Sequence, residues 1–456
     1  MKNYNKLLAL GLLVALVSCS KDTPQASSTQ PPSSSVVNTA NPAASELIEG
    51  WPSQYTGVML QAFAWDSYVD SRWASMEAQA KELAPYFSLI WAPPSAKAKA
   101  FPSMGYDIAY YFDQNSSFGQ EAQLRSMIKA FRGYGVGVIA DVVINHRETQ
   151  SSWVDFPAES YKGQSYAMTS ADIVSNDEAA SEGYKLGPNA DTGDNWSGMR
   201  DLDHKSSNVQ NIVRTYLDFL KNDLGYLGFR YDMVKGYAPS YTAQYSRGAK
   251  VQFSVGEYWD NYDNIQKWLE GTSVGGKYQS AAFDFPSKYA LNEACNKDGN
   301  WDKLMWKRNG TLPQPAGLIH MDKLQRYAVT FVDNHDTARE EHGAVSKNIL
   351  AANAFILTMP GTPCVFLPHW QKYKAQIKEL IRARQAAGVH NQSEVEVLQT
   401  DAQTFAARSK GLYGDLIVKL GPSMAYNAPS GYTLATSGEN YAVWMNASAY
   451  TRYSAK

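Results

Sequence analysis

Short apolar runs rich in β-branched and aromatic residues recur along most of the chain, separated by stretches with apolar residues at helical spacing. The runs at 57–64 (GVMLQAFA), 87–93 (FSLIWAP), 135–144 (GVGVIADVVI), 227–232 (LGFRYD), 252–258 (QFSVGEY), 281–285 (AAFDF), 328–334 (AVTFVDN) and 363–367 (PCVFL) read as eight strands. Helical patterns lie at 121–134, 207–224, 347–359 and 376–387. Eight strand–helix units predict an α/β fold of the (β/α)8 TIM-barrel type over 50–387, in preference to a doubly wound sheet. The rhythm breaks between Asn145 and Ser206, where about 60 residues rich in Gly, Ser, Asp and Tyr are too many for a loop and predict an inserted small domain at about 146–205. Beyond 387 the short alternating segments QTFAARS, DLIVKLG and ENYAVWMN predict a C-terminal antiparallel β domain, 388–456.

The N-terminus has a different pattern. Lys2 and Lys6 precede the apolar run Leu7–Val17, too short for a bilayer span and built like the core of a signal peptide. The following LVSCS resembles a bacterial lipoprotein box, which predicts a signal at 1–18, cleavage before Cys19 and acylation of that cysteine. The alternative is an ordinary secretory signal with an incidental cysteine. Residues 19–49 are Ser, Thr, Pro, Gln and Asn with little to bury, and read as a disordered tether. The expected location is the cell envelope, exported and lipid-anchored at an outer membrane or cell surface, with the lipid as the sole membrane contact.

Composition narrows the partners. A formal net charge of −2 gives no electrostatic case for nucleic acid or an anionic membrane surface. There is no CxxC and no HExxH, which argues against zinc. If Cys19 carries lipid, Cys295 and Cys364 remain, and spacing cannot say whether they pair. The 12 Trp and 29 Tyr supply core packing, and also flat faces of the kind on which sugar rings stack.

In a (β/α)8 barrel the C-terminal strand ends converge on one mouth, so polar residues at those ends are informative. They are Asp141, Asn145 and His146 in DVVINH, Arg230 and Asp232 in GFRYD, Glu257 in VGEYW, and His335 and Asp336 in FVDNHD. Any one of them could be a structural hydrogen-bond partner. Carboxylates from three strands at one mouth suit glycoside cleavage, which needs one acid to protonate the leaving oxygen and a second carboxylate to attack. Arg230 and Asp232 share a strand face, and the arginine favours an ionised carboxylate suited to a nucleophile. Glu257, among aromatic residues and other acids, suits the proton donor.

The four segments DVVINH, GFRYDMVKG, VGEYW and FVDNHD resemble, in order and strand position, the four short motifs of the α-amylase family. QAFAWDS, DTGDNWSGMRDLDH, ILTMPGTPCVF and YAVW extend the resemblance, which is strongest to plant-type α-amylases, from about residue 55 to the C-terminus. It implies Asp232 as nucleophile, Glu257 as general acid/base and Asp336 as stabiliser of the distorted sugar. It further implies that His146 and His335 bind sugar hydroxyls, Arg230 orients Asp232, Tyr106 stacks on the glucose being cleaved and Lys235 reaches the leaving side. The substrates implied are starch and maltooligosaccharides, cleaved inside the chain at α-1,4 bonds with retention, and the protein is expected to be a monomer. A transglycosylase, or a hydrolase of another α-glucan linkage, would share the same triad. An inert glucan-binding protein could lose these carboxylates, and all three are present.

The resemblance also implies one structural calcium, held by Asn145, Asp191, Asp201 and Gly236, with the Gly198 carbonyl as an addition. The acidic segment GPNADTGDNWSGMRDLDH has the hard oxygen donors calcium takes. The chain departs from the plant-type pattern at Asn195, which stands where that group tends to carry Asp. GLIHMDKLQRYAVTF lacks the tryptophan pair that forms a surface starch site in some members.

Overall fold

The computed structural model describes residues 48–308, 310–339 and 343–455. The signal peptide, Cys19 and the tether up to residue 47 lie outside the described residues. Glu49, at the end of the predicted tether, forms an ion pair with Arg326.

Each of the eight predicted runs supplies one strand: β1 (Met59–Gln61), β2 (Leu89–Trp91), β3 (Gly137–Val142), β4 (Gly228–Tyr231), β5 (Ser254–Gly256), β6 (Ala281–Phe283), β7 (Ala328–Phe331) and β8 (Thr362–Phe366). All pairings between them are parallel and they close a barrel in the order β1-β8-β7-β6-β5-β4-β3-β2. Strands covered on both faces need no alternating solvent side, which is why they appear in the sequence as mainly apolar runs. The ladder is shorter than those runs. Val143, Ile144 and Asn145 after β3, and Val332, Asp333 and Asn334 after β7, stay buried but leave the pairing to bend over the barrel mouth.

The helix Glu121–Gly133 buries Leu124, Met127, Ile128 and Phe131, one stripe at spacings of three and four residues. The helix Ser207–Asp218 buries Val209, Ile212, Val213 and Tyr216 in the same way, and the Ser206 hydroxyl accepts from the Val209 amide at its start. It runs on through a π-helical turn, Phe219–Leu224, and stops at Gly225, whose φ of +94° a side chain would resist.

The excursion after β3 returns to its starting point, since His146–Arg147 pairs antiparallel with Arg200–Asp201. Within it are a hairpin, Glu159–Tyr161 with Gln164–Tyr166, and two short 3₁₀ turns. At the C-terminal end β9 (Val395–Asp401), β10 (Thr404–Lys410), β11 (Asp415–Leu420), β12 (Tyr432–Gly438) and β13 (Tyr441–Asn446) form an antiparallel sheet in the order β9-β10-β11-β13-β12. Cys295 and Cys364 are separate buried thiols. Among the described residues no helix is long and apolar enough to cross a membrane.

Candidate active site

Strand register builds the site. Arg230 on β4 is the partner of Asp141 on β3, and Tyr231 that of Gly256 on β5. The next residues, Asp232 and Glu257, therefore emerge side by side where the strands end. Their backbone amides continue the ladder, Asp232 donating to Val142 O and Glu257 to Tyr231 O, each at 3.0 Å.

Arg230 is fully buried and sits among three acids. Its Nη1 donates to Asp141 Oδ1 at 2.8 Å and to Asp232 Oδ1 at 2.7 Å. Its Nη2 lies 2.9 Å from Glu257 Oε2, off the N–H direction, so this contact is an ion pair and not an aligned hydrogen bond. Asp141 also accepts from Trp91 Nε1 and Tyr106 Oη at its other oxygen, and burial pushes its carboxyl up to about 6. Arginine thus serves a cluster and not Asp232 alone, a wider role than the sequence implied.

Glu257 is pushed up to about 8, first by burial and then by the negative charges of Asp232 and Asp336, against the pull of Arg230. Its Oε2 also accepts from the Met233 amide at 3.2 Å. Met233 itself takes a left-handed conformation, φ +46°. Such backbone costs on the order of 1 kcal/mol or more in a non-glycine residue.

On the β7 side, burial and the charges of Arg230 and Arg339 hold His335 well below the usual imidazole range, so the ring is neutral. Gln61 Nε2 lies 3.0 Å from His335 Nδ1, and His335 Nε2 lies 3.2 Å from Asp336 Oδ2. The rings of Trp65, Tyr106 and His335 are parallel within 7°, with centroids 5.1–6.3 Å apart. His146 is likewise lowered by burial; its Nε2 lies 3.0 Å from Tyr106 O and its ring packs on Trp196. Lys235 reaches Asp260 at 2.9 Å and lies over the Tyr258 ring, and the hydrogen bond to Asp260 raises its pKa.

The residues implied for calcium are also brought together. Asn145 Nδ2 lies 3.4 Å from His146 Nδ1 and 3.3 Å from Asp201 Oδ1. Its Oδ1 faces Gly236, where a Cβ would collide with it. The loop 191–194 is clamped to the same place, the Asp194 amide donating to Lys235 O at 2.8 Å. Asp191 Oδ2 is buried with no hydrogen-bond partner. Burial pushes Asp201 up to about 8, and the charges of Asp191, Asp177 and Glu178 add to the effect. An orphaned carboxylate oxygen beside a buried acid and a neutral amide oxygen fits a hard divalent cation. The Gly198 carbonyl lies 3.4 Å from Arg200 Nη2, which already serves it as a donor. Among the described residues there is no group of three or more His, Cys, Asp or Glu placed to hold a metal, so this donor set rests on two acids and neutral oxygens.

Sequence reasoning passed over Gln61, Trp65, Trp91, Asp260 and Arg339, and left Asp141 without a role. Gln61 and Trp91 end β1 and β2. A glutamine closing an apolar strand was a usable signal.

Residues 81–374 match the family model for the alpha amylase catalytic domain, and residues 386–445 match the alpha-amylase C-terminal beta-sheet domain. A probable alpha-amylase 2 of Arabidopsis thaliana is 33% identical over 410 residues, covering 85% of this chain and 93% of that protein. A glucan 1,4-alpha-maltotetraohydrolase of Stutzerimonas stutzeri is 31% identical over 376 residues, 74% of this chain and 63% of that protein. The crystal structure of an alpha-amylase from Geobacillus thermoleovorans, complexed with acarbose, superposes with a TM-score of 0.58 at 14% identity over 86% of this chain and 98% of that one, a likeness of fold.

Proposed function

Because the chain belongs to the alpha-amylase family and is a glycoside hydrolase, we propose that it cleaves internal α-1,4-glucosidic bonds of starch and maltooligosaccharides with retention of configuration. The observation that carries this reading is the division of labour around Arg230: one carboxylate, Asp232, hydrogen-bonded to the guanidinium, and another, Glu257, pushed up to about 8. Two carboxylates held on the two Nη atoms of one guanidinium also favour the close spacing of retaining enzymes, about 5 Å, over the wider one of inverting enzymes.

In the first step Glu257 gives its proton to the glycosidic oxygen as the C1–O bond breaks, while Asp232 forms an ester bond to C1. In the second, water attacks C1, Glu257 takes its proton and Asp232 leaves as carboxylate. Asp336, with His335 beside it, stabilises the distorted sugar through its hydroxyls. His146 binds hydroxyls on the other wall, Tyr106 stacks on the ring, and Lys235 meets the leaving portion. Asn145, Asp191, Asp201 and the Gly236 carbonyl would hold a calcium ion, which when bound ties the excursion to the barrel mouth and takes no part in bond breaking.

The lipoprotein box supports a mature protein anchored through Cys19 at the cell envelope. Chromatography of products from soluble starch over time tests the activity. Mixed oligosaccharides appearing early support internal cleavage. A single short product from the start would mean release from chain ends, and products longer than the substrate would mean transglycosylation.

A further inference from the structure

Asp336 is followed by a 3₁₀ turn, Thr337–Arg339, set by the Asn334 side chain, whose Oδ1 accepts from the Asp336 and Thr337 amides at 2.9 and 2.7 Å. In a 3₁₀ turn side chains three apart eclipse each other. Arg339 therefore stands over Asp336, and its backbone amide donates to Asp336 O. Its Nη1 lies 3.5 Å from Asp336 Oδ1, while His335 Nε2 lies 3.2 Å from Oδ2. A half-exposed pair at this spacing ordinarily contributes little, because a long side chain must be ordered to make it. Here the guanidinium is already ordered, 3.7 Å from the ring centre of Trp65, whose plane is parallel to those of Tyr106 and His335.

We infer that Arg339 is a positioning residue: braced on the Trp65 indole, it holds one oxygen of Asp336 while the neutral His335 ring lies against the other, so that the carboxylate is set before the sugar arrives. This rests on the proposed role of Asp336 in glycoside cleavage. Arg339 is set to act through Asp336 and, by its charge, on the neighbouring His335, and not on the sugar itself, so its removal should affect the transition state and spare substrate affinity.

The test uses Arg339→Gln and Arg339→Lys, with kcat and KM measured on a chromogenic maltoheptaoside and melting temperature as the check on folding. Arg339→Gln should lower kcat about 5- to 10-fold with KM little changed. Arg339→Lys, which keeps the charge, should recover part of the loss. In a Glu257→Gln background, where substrate binds without turnover, adding Arg339→Gln should leave the Kd for maltoheptaose unchanged. A Kd weakened as much as kcat/KM falls would make Arg339 a direct sugar contact and overturn the inference, as would unaltered kcat. If wild type released nothing from the maltoheptaoside, the functional reading itself would fall and take this inference with it; an active wild type with an indifferent Arg339→Gln removes only the inference.

Discussion

Arg230 and Asp141 are register partners on adjacent strands, and their side chains meet at 2.8 Å with both residues buried. Asp141 is the group that lets an arginine sit inside the barrel, since Asp232 and Glu257 must be free to change charge during the reaction. Removing Asp141 leaves the buried guanidinium to Asp232 and Glu257 and takes the acceptor from Trp91 and Tyr106, so Asp141→Ala should cost on the order of 3 kcal/mol. Asp141→Asn, which keeps acceptors for Trp91 and Tyr106, should cost less. Urea unfolding of the two variants checks both the size and the order.

Asp232→Asn and Glu257→Gln should each lower kcat by several orders of magnitude while maltooligosaccharide still binds, because each group acts mainly in the transition state. Turnover together with calorimetric binding separates the two effects. Near wild-type kcat in either variant would sink the role assignment.

Glu257 makes a pH prediction with a definite sign. Its folded value of about 8 lies above the ordinary 4.5, so across that interval the folded protein keeps a proton that the unfolded chain releases. Stability from this group is present below the interval and is lost as pH rises through it. Glu257→Gln should therefore match wild type in melting temperature near pH 4 and gain on it toward pH 8. Wild-type activity should also fall on the alkaline side as the proton donor ionises near pH 8. Melting scans and kcat across pH, measured on the same preparations, check the two limbs.

Calcium should stabilise the fold without entering the chemistry. A cation that binds only the folded state adds about 2.7 kcal/mol at roughly a hundred times Kd. Chelation should lower the melting temperature of wild type, and Asp201→Asn should shrink that shift. Asp336→Asn should abolish turnover and keep the shift whole. An unchanged melting temperature in protein shown by elemental analysis to be calcium-free would eliminate the site.

Cys19→Ser should move the protein from the membrane fraction to the soluble one, because lipid and not the removed apolar run would hold the mature chain. Fractionation with a processing check by mass decides it: a normally cleaved Cys19→Ser protein that still sediments with membranes contradicts the anchor.

The barrel and its acids were legible in the sequence because parallel strands covered on both faces need no alternating solvent side, so Asp141, Arg230, Asp232 and Glu257 stand out where such runs end. What stayed hidden depends on neighbours remote in the chain. Gln61 matters through His335, 274 positions away, and Asp260 through Lys235, 25 positions away. Arg339 lay within reach of local reasoning, but only once the turn after Asp336 was known to be 3₁₀ and not a loop. The left-handed Met233 gave no signal at all, since methionine has no preference for that conformation.

Side chains alternate along β4, so a slip of one residue against β3 would exchange its two faces. Arg230 and Asp232 would turn out into the apolar layer beneath the helices, and Phe229 and Tyr231 would fill the mouth. A guanidinium stranded there would cost several kcal/mol, far more than a slipped hydrogen-bond ladder loses by itself. The charges that serve catalysis would thus also select the register: a barrel closed one residue out would leave the guanidinium without its acids.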